Sequence, residues 1–211
     1  MREIDLSTWP RRTQYELFRT YEFPQFNLTA NVDITAFKPA LKKQAASFTA
    51  GTMYLIARVA NQIPEFRTRI KGERVVEFEV VHPAATILVD ENRFTFCTVH
   101  YREDFAAFAE DAADEFEYVK NNPSLVDEGD PDSLLFMSSL PWVSFTSMMH
   151  PLRLNPADSV PRFAWGKFFL QGDRLMMPFS VQGHHALMDG YHVGKFFEIF
   201  QAHLDQPEDF I

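Results

Sequence analysis

Strand-like segments, of which 26–34 shows the two-residue period most clearly, outnumber the helical segments of this chain, and the two kinds do not alternate regularly. The strand-like segments are residues 26–34, 75–82, 85–89, 94–101, 163–170 and 175–182, with further apolar runs in 133–148. The helical segments are residues 11–21, 36–46, 49–62, 103–119 and 190–203. Because a doubly wound fold places a helix after nearly every strand, this order predicts an α+β fold, a mixed β-sheet with flanking helices.

Turn-forming residues divide these segments. Pro83 and the polar cluster 90–92 are expected to separate strands, and Gln-Gly-Asp at 171–173 predicts a hairpin. Thr35 stands where a residue capping the helix of 36–46 belongs. The helical segment 49–62 is apolar on most sides, which predicts that it is buried.

Length, charge and cysteine content limit the classes of protein to consider. The 211 residues contain no Gly-, Ser- or Pro-rich linker, so we expect one domain spanning residues 1–211. A net charge of −9 disfavours nucleic acid and anionic membrane as partners. The N-terminus has no signal-peptide pattern, and no apolar run is long enough to span a bilayer. The single cysteine, Cys97, lies in a strand-like segment, which favours a structural thiol. One cysteine cannot form an internal disulfide, which favours a cytoplasmic protein.

A pair of histidines, His184 and His185, lies between the last predicted strand and the last predicted helix. There a histidine can act as a general base, because its ordinary pKa is about 6.5. Three interpretations compete: a base supported by Asp189, a metal site that also uses Asp189 and His192, or residues without chemistry. The metal interpretation is weak, because neighbouring strand residues point to opposite faces and no His-Glu-x-x-His or cysteine pair is present, so no metal is expected. A Gly-x-Ser-x-Gly nucleophile elbow is also missing.

The longer string, Gln-Gly-His-His-Ala-Leu-Met-Asp-Gly-Tyr-His-Val-Gly-Lys-Phe at residues 182–196, closely resembles the signature of the chloramphenicol acetyltransferases. Its His-His-x-x-x-Asp-Gly core is shared with dihydrolipoyl acyltransferases and peptide-synthetase condensation domains, whereas the continuation is typical of the chloramphenicol branch. Further matches follow in order over nearly the whole chain, at residues 9–12, 32–35, 64–67, 138–145 and 171–178.

This resemblance implies a coenzyme A-dependent acyltransferase fold, assembled as a homotrimer with active sites between subunits. By the same similarity, His185 takes the proton of an acceptor hydroxyl, whose oxygen attacks acetyl-CoA directly. Asp189 pairs with Arg11 rather than with the base. Ser138 matches a serine that donates to the tetrahedral oxyanion, and Lys167 matches a lysine near the coenzyme.

The resemblance also marks the acceptor pocket and the places where this chain departs from the family. Phe18, Phe26 and Phe94 match aromatic residues that hold the antibiotic. Polar or charged residues stand where the family commonly has an apolar side chain, at Glu22, His150 and Arg162. Ala164 replaces a threonine that helps to hold a water. His150 and Arg162 are therefore predicted to contact the acceptor. The leading function is chloramphenicol O-acetylation, and the alternatives are a more polar alcohol or an amine as acceptor, or a non-catalytic binding protein.

Overall fold

A computed structural model describes residues 1–126, 129–154 and 158–211. Its strands are β1 (Arg2–Glu3), β2 (Gln25–Asp33), β3 (Thr68–Lys71), β4 (Arg74–Glu77), β5 (His82–Asp90), β6 (Arg93–Thr98), β7 (Leu134–Leu140), β8 (Arg162–Gly166), β9 (Phe169–Gln171) and β10 (Arg174–His184). Its α-helices are α1 (Arg12–Phe18), α2 (Phe37–Lys43), α3 (Phe48–Gln62), α4 (Phe105–Asn121) and α5 (Gly190–Asp205).

The main sheet has the order β2-β10-β8-β7-β5-β6, and β9 pairs with β10 beside it. The pairs β5–β7 and β7–β8 are parallel, whereas β10 runs antiparallel to β2, β8 and β9. A small sheet of order β1-β4-β3 lies apart from it. The predicted α+β architecture with a mixed sheet is therefore confirmed.

The core lies on the face of the sheet that α3 and α5 cover. Phe196 of α5 stacks on Phe179 of β10, with ring centroids 6.1 Å apart and planes within 3°. Phe66 and Phe163 extend the same cluster. Fully burying such a side chain contributes about 1.5–3 kcal/mol, so this aromatic layer fixes α5 against β10. Helix α3 is buried over most of its length, as its apolar sequence predicted.

Several local predictions were wrong. Thr35 does not cap α2; its hydroxyl donates to Asp33 and accepts from the Leu175 N–H, which ties β2 to β10. The predicted strand 75–82 ends at Glu77. Pro83 lies inside β5 instead of separating two strands. It is the second residue of the strand, where its missing N–H costs little, and its carbonyl accepts from the Val99 N–H.

The hairpin at 171–173 is confirmed, with Gly172 in the left-handed conformation at φ 61°. The strand predicted at 163–170 is divided into β8 and β9, because the Lys167 N–H donates to Val143 instead of to the sheet. Cys97 is buried, and burial raises the pKa of its thiol to about 12, which fits a structural role. In the described ranges, no helix is both long and apolar enough to cross a bilayer.

Candidate active site

The junction between β10 and α5 carries the histidine pair. Asp189 is the N-cap of α5: its backbone is extended and its carboxylate accepts from the Tyr191 N–H at 3.0 Å, which satisfies a donor that the helix leaves unpaired. His185 is anchored by its own N–H, which donates to the Pro24 carbonyl at 2.8 Å. The histidine is therefore held by two elements, the segment before β2 and the cap of α5.

The imidazole of His185 lies between two phenylalanines of the same chain. Its ring is parallel to Phe18, with centroids 4.0 Å apart and planes within 2°, and it contacts Phe26 at 4.9 Å. The side chain is half-buried, and its Nδ1 is buried without a hydrogen-bond partner among the described residues. Packing on two aromatic rings, rather than a carboxylate, thus sets the orientation of this ring.

Arg11 links Asp189 to the backbone of His185. Its Nη1 donates to Asp189 Oδ2 at 2.8 Å, and its Nη2 donates to the His185 carbonyl at 3.4 Å. Burial raises the pKa of Asp189, but the hydrogen bond from Arg11 and the nearby His192 outweigh it, so the pKa lies below its ordinary value. Asp189 is therefore an ionised partner of Arg11, as the resemblance implied. Among the described residues its carboxylate contacts Arg11, Tyr191 and His192 rather than the imidazole of His185.

His184 has a structural environment. It is buried, and its Nδ1 accepts from the Ala186 N–H at 3.2 Å. Burial lowers the pKa of His184 to about 4, so the ring is neutral and a weak base near neutral pH. Of the two neighbouring histidines, His185 alone is half-exposed and placed against the Arg11–Asp189 pair.

His192 and Glu65 join this cluster. His192 Nδ1 lies 2.9 Å from Asp189 Oδ1, and its Nε2 lies 3.4 Å from Glu65 Oε1. Spacing suggested His192 only as a metal ligand, and Glu65 was assigned no role although it lies in the matched segment 64–67. Across residues 1–126, 129–154 and 158–211, no three or more His, Cys, Asp or Glu side chains are grouped to hold a metal ion.

Ser138 lies far from His185 of its own chain. Ser138 on β7 pairs with Ala164 on β8, which pairs with Ser180 on β10. His185 follows Ser180 by five residues along the chain. With about 4.8 Å between strands and about 3.4 Å per residue, the two side chains are on the order of 20 Å apart. Phe94, half-exposed on β6, lies four strands from β10.

The charged and polar residues predicted near the acceptor have different environments. Arg162 is buried, forms an ion pair with Asp158 and lies over the ring of Phe136, so its charge is balanced within the chain. The backbone N–H of His150 donates to Gln182 Oε1 at 2.9 Å, whereas its Nε2 is buried without a partner among the described residues.

The remaining predicted positions are simpler. Glu22 and Lys167 are exposed, and neither forms an ion pair within the part of the chain that is described. Lys167 is held only by its backbone, which accepts from the Ser144 hydroxyl at 2.6 Å. Ala164 is fully buried between Ser138 and Ser180.

Replacing Arg11 with methionine is expected to lower the free energy of unfolding by about 1–3 kcal/mol, because it removes charge-assisted hydrogen bonds to a partly buried carboxylate and a carbonyl. Urea denaturation measures the change. Arg12→Met is the matched control, since Arg12 forms an exposed pair with Glu16 that solvent screens and that contributes little to stability. Equal losses in the two variants would contradict the role given to Arg11.

Stability is expected to fall as the pH drops from about 6.5 towards 4. Burial lowers the pKa of both His150 and His184 to about 4, against about 6.5 in the unfolded chain. Between these values the unfolded chain binds more protons, so acid favours unfolding, by about 3 kcal/mol per histidine at most. In urea denaturation at about pH 7 and about pH 5, His150→Leu should lose less stability than the wild type. Parallel losses would exclude His150 as a contributor.

Comparisons with known proteins identify the family of the chain. A family model described as chloramphenicol acetyltransferase matches residues 1–201. Chloramphenicol acetyltransferase 2 of Escherichia coli is 36% identical over 204 residues, 96% of either chain. Chloramphenicol acetyltransferase of Klebsiella sp is 32% identical over 206 residues, which cover 96% of this chain and 93% of that protein.

Solved structures of related proteins share the fold of this chain. A chloramphenicol acetyltransferase superposes with a TM-score of 0.85 at 28% identity, over 97% of this chain and all of that one. The cubic core of the pyruvate dehydrogenase multienzyme complex matches with a TM-score of 0.69 over 89% of this chain and 84% of that one, but at 18% identity it shows the fold alone. The chain belongs to the chloramphenicol acetyltransferase family.

Proposed function

We propose that this protein transfers the acetyl group of acetyl-CoA to a hydroxyl of chloramphenicol, with His185 as the general base. The observation that carries this proposal is the fixed position of the His185 ring, stacked on Phe18 with its carbonyl held by Arg11. A base must meet the acceptor hydroxyl in one geometry, and a ring fixed before substrate binds loses little freedom in doing so. The family membership supports the same reaction.

In this mechanism the nitrogen opposite the buried Nδ1, His185 Nε2, takes the proton of the acceptor hydroxyl. The hydroxyl oxygen attacks the thioester carbonyl, and a tetrahedral oxyanion forms. Its collapse breaks the carbon–sulfur bond, and the departing thiolate takes the proton back from the imidazole, which restores the base. The transfer is direct, so no side chain of the protein becomes acylated.

The proposed oxyanion donor is Ser138 of a neighbouring copy. Ser138 and His185 of one chain are on the order of 20 Å apart, so one chain alone does not join them. The segment that follows Ser138 exposes large apolar side chains, among them Trp142 at 68% and Met149 at 56%. Because such groups mark interaction surfaces, we propose that the protein assembles as a homotrimer with its active sites between subunits.

The donor substrate is proposed to be acetyl-CoA, without a metal. Lys167 is exposed and its backbone pairs with Val143 and Ser144, and an exposed ammonium suits a phosphate of the coenzyme. The single thiol, Cys97, is buried and has no disulfide partner, which fits a cytoplasmic protein.

An acceptor more polar than chloramphenicol is the second candidate, because His150 Nε2 is a buried polar atom without a partner among the described residues. Such an atom lowers its free energy by meeting a hydrogen-bonding group of a ligand. Phe18 and Phe26 instead favour an aromatic acceptor, and they contact the base directly.

Thiol release from acetyl-CoA, measured with chloramphenicol and with a panel of other alcohols and amines, tests the proposal. Release with chloramphenicol at a higher kcat/KM than with the other acceptors is the expected result. A preference for a polar acceptor that His150→Leu abolishes would favour the second candidate. Tight binding of chloramphenicol without release from any acceptor would contradict catalysis and indicate a binding protein.

A further inference from the structure

His192 lies between two carboxylates on the side of Asp189 that faces away from Arg11. The Nδ1 of His192 is 2.9 Å from Asp189 Oδ1, and its Nε2 is 3.4 Å from Glu65 Oε1. The side chain of His192 is 14% exposed and that of Glu65 is 27% exposed, so both are largely shielded from water. Glu65 belongs to the short 3-10 turn Pro64–Arg67 that follows α3. The pair therefore connects the end of α3 to the first turn of α5.

The two carboxylate oxygens of Asp189 contact different partners. Oδ1 meets His192 and the Tyr191 N–H, whereas Oδ2 meets Arg11. Because a carboxylate rotates as a plane, the contacts at Oδ1 also determine where Oδ2 lies. Arg11 in turn donates to the carbonyl of His185. A continuous series of contacts thus runs from Glu65 to the backbone of the proposed base.

We propose that His192 and Glu65 are positioning residues for acetyl transfer, holding the Asp189 carboxylate in the plane in which it aligns Arg11 and, through Arg11, the backbone of His185. Neither residue touches a reacting atom. The inference rests on the proposed role of His185 as the base. The competing explanation is that His192 only stabilises α5: in the other tautomer its Nδ1 carries no proton and instead accepts from the Asp189 N–H at 3.2 Å in a capping box.

His192→Leu separates these explanations. It should lower kcat by about 10- to 100-fold and leave the KM of each substrate within about twofold, because a displaced base slows the chemistry of substrates that still bind. His192→Asn can keep a polar contact with Asp189 and should recover most of the activity. His203→Leu is the control, since His203 is a partly buried histidine on the same helix that packs on Phe210.

Glu65→Ala gives a second test should His192→Leu fold poorly. It should lower kcat severalfold, and Glu65→Gln, which keeps an oxygen acceptor, should restore it. A readout independent of turnover is the side-chain NMR signal of the His185 imidazole, which should shift in His192→Leu and Glu65→Ala but not in His203→Leu.

Full kcat and an unshifted His185 signal in a folded Glu65→Ala or His192→Leu protein would overturn the inference. His192 would then serve only as part of the N-terminal cap of α5. Full activity of His185→Gln would refute the proposed function itself, because His185 would then not be the base. An inactive His185→Gln beside fully active Glu65 and His192 variants would refute only the positioning role.

Discussion

Replacing His185 with glutamine is expected to lower kcat by about 10²- to 10⁴-fold, the range that general base catalysis contributes. Glutamine keeps a polar side chain of similar length, but its amide cannot accept the proton of the hydroxyl. The effect should fall on kcat rather than on KM, because Phe18 and Phe26, the proposed aromatic contacts of the acceptor beside His185, are unchanged. Thiol release at saturating acetyl-CoA and chloramphenicol measures it.

The control for this variant is His100→Gln. His100 is exposed beyond the end of β6 and packs on His82, away from the β10–α5 junction. Its replacement should leave kcat within about twofold, as surface substitutions generally do. Retention of wild-type kcat by folded His185→Gln would eliminate His185 as the base.

Replacing Ser138 with alanine is expected to lower kcat by about 10²- to 10³-fold, because one preorganised donor to an oxyanion is worth about 3–4 kcal/mol in the transition state. Substrate affinity should change little, since the oxyanion exists only after attack. Ser139→Ala is the matched control: Ser139 is the next residue of β7 and points to the opposite face of the sheet. If Ser138→Ala and Ser139→Ala had equal kcat, the oxyanion donor would have to be sought elsewhere.

The elements around the site could be predicted from the sequence because their signals are local. The hairpin signal before residues 175–182 and the helical pattern after Asp189 identified β10 and α5 to within a few residues. Thr35 shows the limit of local reasoning. It stands before α2 as a cap would, but its hydroxyl instead donates to a neighbouring carboxylate and accepts from the N–H of Leu175, 140 residues away in sequence.

Contacts between distant residues could not be predicted from spacing. Asp189, four residues beyond His185, suggested direct support of the imidazole, whereas its partner is Arg11, 178 residues away in sequence. The family resemblance supplied that pair. It did not supply the contact between Glu65 and His192, nor the parallel packing of Phe18 on His185.

Polar residues at apolar family positions were the least predictable part of the site. Arg162 stays a predicted acceptor contact, and the sequence did not reveal that Asp158, four residues earlier, pairs with its charge within the chain. His150 keeps an unpaired Nε2 among the described residues. Whether a buried polar atom remains unpaired and available to a ligand depends on its partners elsewhere in the fold. Single positions in a sequence do not reveal those partners.

The most direct test of the shared active site mixes two inactive chains. His185→Gln and Ser138→Ala chains with different affinity tags are co-expressed, and assemblies that carry both tags are purified in sequence. In a cyclic trimer whose sites each take His185 from one chain and Ser138 from the next, every mixed assembly has one intact site of three, so about one third of the wild-type activity is expected. Activity of doubly tagged assemblies no higher than that of the parent variants would contradict a site built from two copies.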